Sequence, residues 1–349
     1  MHIISVPSLA HNLPNHPENA KRVSAIESAI QASSIVNRLS SVTPRPATQE
    51  ELIRLHPIEY VEALERAMSQ APGYIDHAPT YITSESFACA RLAAGAACQA
   101  VENSLISNSP PKRIGELENS AFALVRPPGH HATPTQAMGF CLLNNVAVAA
   151  RHAQALGARK VLIVDFDVHH GNGTQDAFYD DETVLFISTH QYEPGFYPGT
   201  GAAKETGAGA GRGYTLNVPL PEGAGDLAMK RVFNEIIGPA AERFAPDFLL
   251  VSAGYDAHWR DPLAGLQFST SGYFQLMRSL KQLAEQLCGG RMACVLEGGY
   301  DLAALAANVV ASVHALLGSD SAPDPFGPPE YQEPHIHKVI GEVKAIHGL

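Results

Sequence analysis

The stretch Val161-Leu-Ile-Val-Asp-Phe-Asp-Val-His-His-Gly-Asn-Gly173 opens as an apolar run and closes as a polar, glycine-bounded loop. A run this short and this rich in branched residues reads as a strand buried on both faces, as in parallel sheets covered by helices. Five more runs share its character: Phe122–Val125, Val184–Ile187, Tyr214–Val218, Phe248–Val251 and Ala293–Leu296. Helical patterns lie between most of them. Gly139–Leu156 stops at Gly157, Asp226–Phe244 stops before Pro246, and Ser271–Leu287 repeats leucine at 276, 280, 283 and 287 before Gly289. This alternation is that of βαβ units. It predicts an α/β domain whose central, mostly parallel sheet has helices on both faces and binds ligands beyond the carboxyl ends of its strands. Upstream, Pro17–Ser33, Gln49–Gln70 and Ser84–Leu105 read as helices, and Ile106–Glu118 as a mobile polar loop. No linker precedes residue 318, so residues 1–318 are expected to form one catalytic domain. Residues 319–349 read as a proline-rich extended tail, with five prolines in Ser319–Pro334, ending in a short helix over Glu333–Ile346.

Composition narrows the function. The 349 residues are 45% hydrophobic and 17% charged, ample for a core. No run approaches the roughly 18 consecutive apolar residues of a membrane span. Lys and Arg total 24 against 35 Asp and Glu, a net charge of −11 with no dense basic segment. Direct nucleic-acid binding is therefore not expected, and a charged partner should be cationic. Five cysteines without CxxC spacing argue against a disulfide framework or a thiolate zinc knot, and fit a reducing cytoplasm. The amino-terminal segment reads as neither signal nor transit peptide. GxSxG, HExxH and GxxxxGK[ST] motifs do not occur, and Gly199–Gly213 lacks a GxGxxG phosphate cradle.

The strand ends carry the chemistry. With a side-chain period of two, Asp165, Asp167 and His169 project to one face, and burying two like charges there is costly unless a cation neutralises them. An O/N-ligand metal site follows. Leu250-Val-Ser-Ala-Gly-Tyr-Asp256 repeats the grammar, and Asp256 would complete a three-ligand shell with an open position for water, as in catalytic zinc sites. Taken singly, the DxDxH run also suits a hydrogen-bonded strand terminus, Asp256 a helix cap, and His258 an ordinary loop histidine. Leu124-Val-Arg-Pro-Pro-Gly-His-His131 sets tandem imidazoles after stiffening prolines, suited to proton transfer if an acceptor holds each second nitrogen. Asp165 can orient one and Asn172 the other; the carboxylate should raise its histidine's proton affinity, whereas the neutral amide leaves its partner free as a base. In Cys294-Val-Leu-Glu-Gly-Gly-Tyr300, the phenol arrives where it could donate to a developing oxyanion.

Together, RPPGHHA, GFCLLNNVAVAARHA, VDFDVHHGNGTQDAFYDD, STHQYEPGFYPGTG, NVPLP, LLVSAGYDAHWRDPLA and LEGGYD resemble the histone deacetylase family, its class II branch in particular. The ordered motifs cover about residues 80–318, and HPEN at 16–19 is similar to the family's opening loop. The resemblance implies the single-domain arginase-deacetylase fold and zinc-dependent hydrolysis of an acetylated amine to amine and acetate. It implies one zinc ion on Asp167, His169 and Asp256, His131 as general base and acid, His130 as its electrostatic partner and Tyr300 as the carbonyl-polarising phenol. Asp165 matches the partner of His130. With Asp167, His169, Ser188 and the Thr189 carbonyl it would also form a buried potassium or sodium site, and a second such site would lie near Phe178, Asp181, Val184 and Tyr214. Asn172 stands where class I members have aspartate. Gly139, Phe140 and Tyr197 match a narrow tunnel, with Leu263 and Gly299 in the substrate-binding set; Tyr197 departs from the commoner phenylalanine. Polyamine-directed relatives can carry glutamate at the Leu263 position, so acetyl-lysine in a peptide or protein is the expected substrate and an acetylated polyamine the alternative. An arginase-like hydrolase would need paired aspartates where this chain has Asp256-Ala-His258, and a silent binding module would have lost a chemical residue. Oligomeric state is left open.

Overall fold

Val161–Asp165 forms a strand buried along its whole length, and its alternation divides two cores. Leu162 and Val164 pack in one cluster with Phe122, Leu249 and Val309, while Val161 and Ile163 pack in another with Ala97, Val146 and Phe248. The sheet is therefore sealed on both faces, as its sequence pattern requires. The structure, a computed structural model, describes residues 1–77, 79–105 and 120–349; the loop expected over Ile106–Glu118 lies outside the described residues.

Its strands are β1 (His2–Val6), β2 (Ser40–Ser41), β3 (Gly73–Tyr74), β4 (Tyr81–Ile82), β5 (Ala121–Val125), β6 (Val161–Asp165), β7 (Val184–Gln191), β8 (Thr215–Leu220), β9 (Phe248–Ala253) and β10 (Met292–Leu296). Eight form one sheet in the order β2-β1-β5-β10-β9-β6-β7-β8, and every neighbouring pair is parallel. The short β3–β4 pair is antiparallel. All six expected strands are present; β1, β2, β3 and β4 were not anticipated.

The helices are α1 (Lys21–Ala32), α2 (Gln49–Ile53), α3 (Ile58–Ala67), α4 (Ser86–Leu105), α5 (Asn145–Ala155), α6 (Asn172–Phe178), α7 (Asp226–Val232), α8 (Gly238–Phe244), α9 (Thr270–Leu287), α10 (Leu302–Leu316) and α11 (His337–His347). The helix expected over Gln49–Gln70 is broken between α2 and α3, because Pro57 disfavours helical backbone at the residue before it. Asp226–Phe244 stays continuous only through a π-helical turn at Phe233–Ile237, just before Pro239, whose ring and missing N–H disrupt regular α-helical bonding. The helix expected from Gly139 starts instead at Asn145: Gly139 and Phe140 adopt φ of +57° and +69°, and the Asn144 side chain caps the Ala147 N–H.

After α10 the chain runs without regular structure to α11, held to the domain throughout. Glu333 accepts from the backbone N–H groups of Gly225, Leu227 and Ala228 at the start of α7, and Trp259 Nε1 donates to the Gly327 carbonyl at 3.1 Å. Ile340 and Val343 of α11 enter the first core. No helix among the described residues is long and apolar enough to cross a membrane.

Candidate active site

The four central strands β5, β10, β9 and β6 are neighbours in space although scattered along the chain, and each delivers polar residues from its carboxyl end to one place. Asp167, His169 and Asp256 converge there, with one potential ligand atom of each lying within 4.8 Å of the others. His169 Nδ1 stands 3.2 Å from Asp167 Oδ1 and 3.3 Å from Asp256 Oδ2. Both acids are buried, and burial together with the neighbouring Asp167 pushes the Asp256 carboxyl above its ordinary range. The backbone makes room for this crowding at Gly298, where an added Cβ would run into Asp256 Oδ2. Asp256 Oδ2 accepts no hydrogen bond. Two buried carboxylates, one oxygen unpartnered, beside one imidazole are a donor set suited to a divalent cation, and among the described residues no fourth His, Cys, Asp or Glu joins the group.

The tandem histidines are held differently. His130 Nδ1 meets Asp165 Oδ2 at 3.1 Å and its Nε2 lies 3.8 Å from Asp167 Oδ1. Burial alone would lower its pKa, but Asp167 and Asp165 outweigh burial and raise it to about 10, so the ring is held protonated. His131 Nδ1 meets Asn172 Oδ1 at 2.8 Å, while Asn172 Nδ2 points to Met138 Sδ. An amide oxygen only accepts, so Nδ1 carries the proton and Nε2 keeps its lone pair. Burial and the charge on His130 hold His131 well below the ordinary histidine range. The pair thus sets a neutral base beside a cation, the division that the Asp165 and Asn172 partners imply.

Tyr300 sits on the fourth side. Asp261 Oδ2 accepts from the Tyr300 and Asp301 N–H groups, and the Arg22 guanidinium lies over the ring at 5.0 Å. Burial pushes the phenol well above its usual pKa, so it remains a proton donor. Pro79, His131, Gly139, Phe140, His169, Tyr197, Leu263 and Tyr300 enclose a cavity of about 190 Å³. Phe140 stands edge-on to Tyr300 and Tyr197 edge-on to His131, giving narrow apolar walls. Gly299 departs from the expected lining set: with φ of +121° it lies outside the cavity wall and its carbonyl accepts from Arg22 Nε.

Ser188 pairs in register with Asp165 across β6 and β7, Thr189 Oγ1 donates to the Asp165 carbonyl at 3.4 Å, and Ser188 Oγ meets His190 Nδ1 at 2.9 Å. In the second set, the Asp181 carboxylate is taken by Arg151 and Thr183, the Phe178 carbonyl by Asp181 N–H and the Tyr214 carbonyl by Phe186 N–H. Any cation near Val184 there would rely on the spare lone pairs of main-chain oxygens. His258 Nδ1 accepts from Arg260 N–H and its ring stacks on Trp259, away from the ligand set.

Three site residues escaped sequence reasoning. Glu297, buried, accepts from the N–H groups of Gly129 and His130 and from Ser252 Oγ, fixing the His-His turn; burial raises it to about 7. Asp261 anchors the Tyr300 loop. Asp76, between β3 and β4, accepts from Gly139 N–H and so sets the tunnel wall. Glu297 lies inside LEGGYD, where its acid between apolar strand and glycines was a readable signal; Asp76 offered none.

Glu51, Cys98 and His152 form a second buried group with metal-like spacing. Arg45 already binds Glu51 and Glu102, and Arg54 donates to His152, so this is an ion-pair network with its charge satisfied. Although burial works against it, the Arg45 hydrogen bond holds Glu51 down to about 2. Glu51's contribution is thus present above its unfolded value of about 4.3 and lost as pH falls toward 2. Glu51→Gln should cost on the order of 1 kcal/mol at neutral pH, Arg45 being one-third exposed. In urea melts, the gap between wild type and variant should narrow from about pH 4.3 downward and close near pH 2; a gap that stays constant would contradict this assignment.

The sequence profile described as "Histone deacetylase domain" matches residues 16–316. "Histone deacetylase 14, chloroplastic" of Arabidopsis thaliana is 46% identical over 98% of this chain and 83% of its own length. "Histone deacetylase-like amidohydrolase" of Pseudomonas aeruginosa is 39% identical over 88% of this chain and 78% of its own. The crystal structure of the HDA15 HD domain superposes with a TM-score of 0.86 at 38% identity, covering 99% of this chain and 94% of that one. The fold is that of the arginase-deacetylase α/β domain.

Proposed function

The chain belongs to the histone deacetylase family, and on that premise we propose that it is a zinc-dependent deacetylase of the class II branch that hydrolyses N6-acetyl-lysine in peptides or proteins to free amine and acetate. The observation that carries this is the convergence of Asp167, His169 and Asp256 beside a neutral His131 at the foot of an aromatic-walled cavity. Those three side chains would hold the zinc ion, which supplies Lewis acidity to the acetyl carbonyl and to an adjacent water. His131 Nε2 takes a proton from that water as it attacks, and returns it to the departing amine nitrogen. His130, kept charged by Asp165 and Asp167, keeps His131 neutral beforehand and stays protonated throughout. The Tyr300 hydroxyl donates to the oxygen on which negative charge develops, and Gly139, Phe140 and Tyr197 grip the four-carbon stem while excluding water. Asp165, Ser188 and the Thr189 carbonyl, with Asp167 and His169, would hold a potassium or sodium ion. The five free cysteines support a reducing compartment such as the cytoplasm.

Acetylpolyamine hydrolysis is the second reading, favoured by the net charge of −11. Leu263 separates the two, since it is 36% exposed at the mouth and brings no charge to a second amine. Parallel kinetics should give an acetyl-lysine peptide a higher kcat/KM than N-acetylputrescine, and Leu263→Glu should shift the ratio toward the polyamine by about tenfold, on the scale of one partly exposed ion pair. A wild-type preference for N-acetylputrescine would replace the first reading by the second.

A further inference from the structure

Three basic side chains share one cavity at the end of the sheet opposite the catalytic cleft. Lys160 lies just before β6, Leu185 is the second residue of β7 and Tyr214 lies just before β8, so the cavity opens at the amino ends of parallel strands. Arg212 and Gly213 from the preceding loop and Ala240, Arg243 and Phe244 of α8 complete its wall around about 260 Å³. No acidic residue lines it.

The three cations are positioned without being neutralised. Lys160 Nζ donates to the Phe244 carbonyl at 3.1 Å and rests 5.2 Å from that ring, and Arg243 donates to the His347 carbonyl at 2.7 Å. Carbonyl dipoles hold these groups but cancel no charge. Glu242, next to Arg243 in sequence, does not line the cavity, and Asp247 accepts from the backbone N–H groups of Arg159 and Lys160 and faces the Arg159 side chain at 3.8 Å. Among the described residues, neither Lys160, Arg212 nor Arg243 forms an ion pair with a carboxylate, and the Arg212 guanidinium makes no hydrogen bond. In a chain of net charge −11, this is a local reversal of sign. Three exposed cations lining one concave surface give it a positive potential that attracts anions.

We propose that this cavity is a binding site for a small phosphate-bearing anion, with Arg212 closing bidentately on the phosphoryl oxygens and Lys160 and Arg243 as point charges beside it. Its volume falls just below the roughly 300–1,000 Å³ of ordinary ligand pockets, which suits a phosphoryl group carrying a few atoms rather than an extended chain. Tyr214 and Phe244, edge-on at 5.8 Å, form the apolar wall against which those atoms would rest. The site lies apart from the zinc ligands and does not depend on the deacetylase reading.

Isothermal titration of the full chain with orthophosphate and with glycerol 3-phosphate tests this directly. Saturable one-to-one binding is expected, weakened about tenfold or more in Arg212→Glu, with kcat on an acetyl-lysine peptide unchanged. Arg212 is exposed and its side chain has no hydrogen bond or ion pair among the described residues, so that variant should melt like wild type. Tighter binding of glycerol 3-phosphate would identify an organic phosphate as the ligand, and equal binding the free ion. Absence of saturable binding by either, or binding that Arg212→Glu leaves intact, overturns the proposal.

Discussion

His131→Gln lowers kcat on an acetyl-lysine peptide by about 10²–10⁴-fold while leaving bound metal unchanged. The size follows from the loss of a positioned base that also returns its proton to the leaving amine. The metal content should hold because His131 is outside the group formed by Asp167, His169 and Asp256. The direction of the pH dependence follows from the same geometry. Burial and the charge on His130 hold His131 well below the ordinary histidine range, so the neutral, competent form persists into acid. Activity should therefore fall only at pH values below the ordinary histidine midpoint of about 6.5. Turnover within tenfold of wild type would remove His131 from the role of base.

Tyr300→Phe depresses kcat by about 10²–10³-fold, the scale of one lost oxyanion donor, with KM little changed. Burial keeps the phenol protonated, and the ring is fixed from three sides by the Asp261 anchor on its backbone, the Arg22 guanidinium and the Phe140 edge. Phenylalanine preserves the ring contacts and removes only the donor, so the effect should appear in kcat. Near-normal turnover, or a loss confined to KM, would mean that Tyr300 merely lines the cavity.

Much of this was legible in the chain itself. The six central and flanking strands are short apolar runs with no competing pattern, and the acids and imidazoles that break such runs stand out because a buried strand tolerates them only with partners. Alternation alone could not supply the order β5-β10-β9-β6, which is set by crossovers packing on both faces and which makes neighbours of residues more than a hundred positions apart. The strand at His2–Val6 was missed because five apolar-leaning residues at a terminus carry too little pattern. Helix starts were misplaced where tertiary demands override periodicity: Gly139 and Phe140 give up helical backbone to build the tunnel wall. Glu297 and Asp261 show a different limit, since their work is to hold backbone N–H groups of other loops, and nothing in the local sequence names those groups.

The central claim is that Asp167, His169 and Asp256 bind a single catalytic ion. Elemental analysis of the purified chain, paired with acetyl-lysine turnover, tests it most directly. One zinc per chain is predicted, lost together with activity in Asp256→Asn and restored to the stripped wild type by adding zinc. Two manganese ions per chain, or full turnover by protein free of metal, would contradict it.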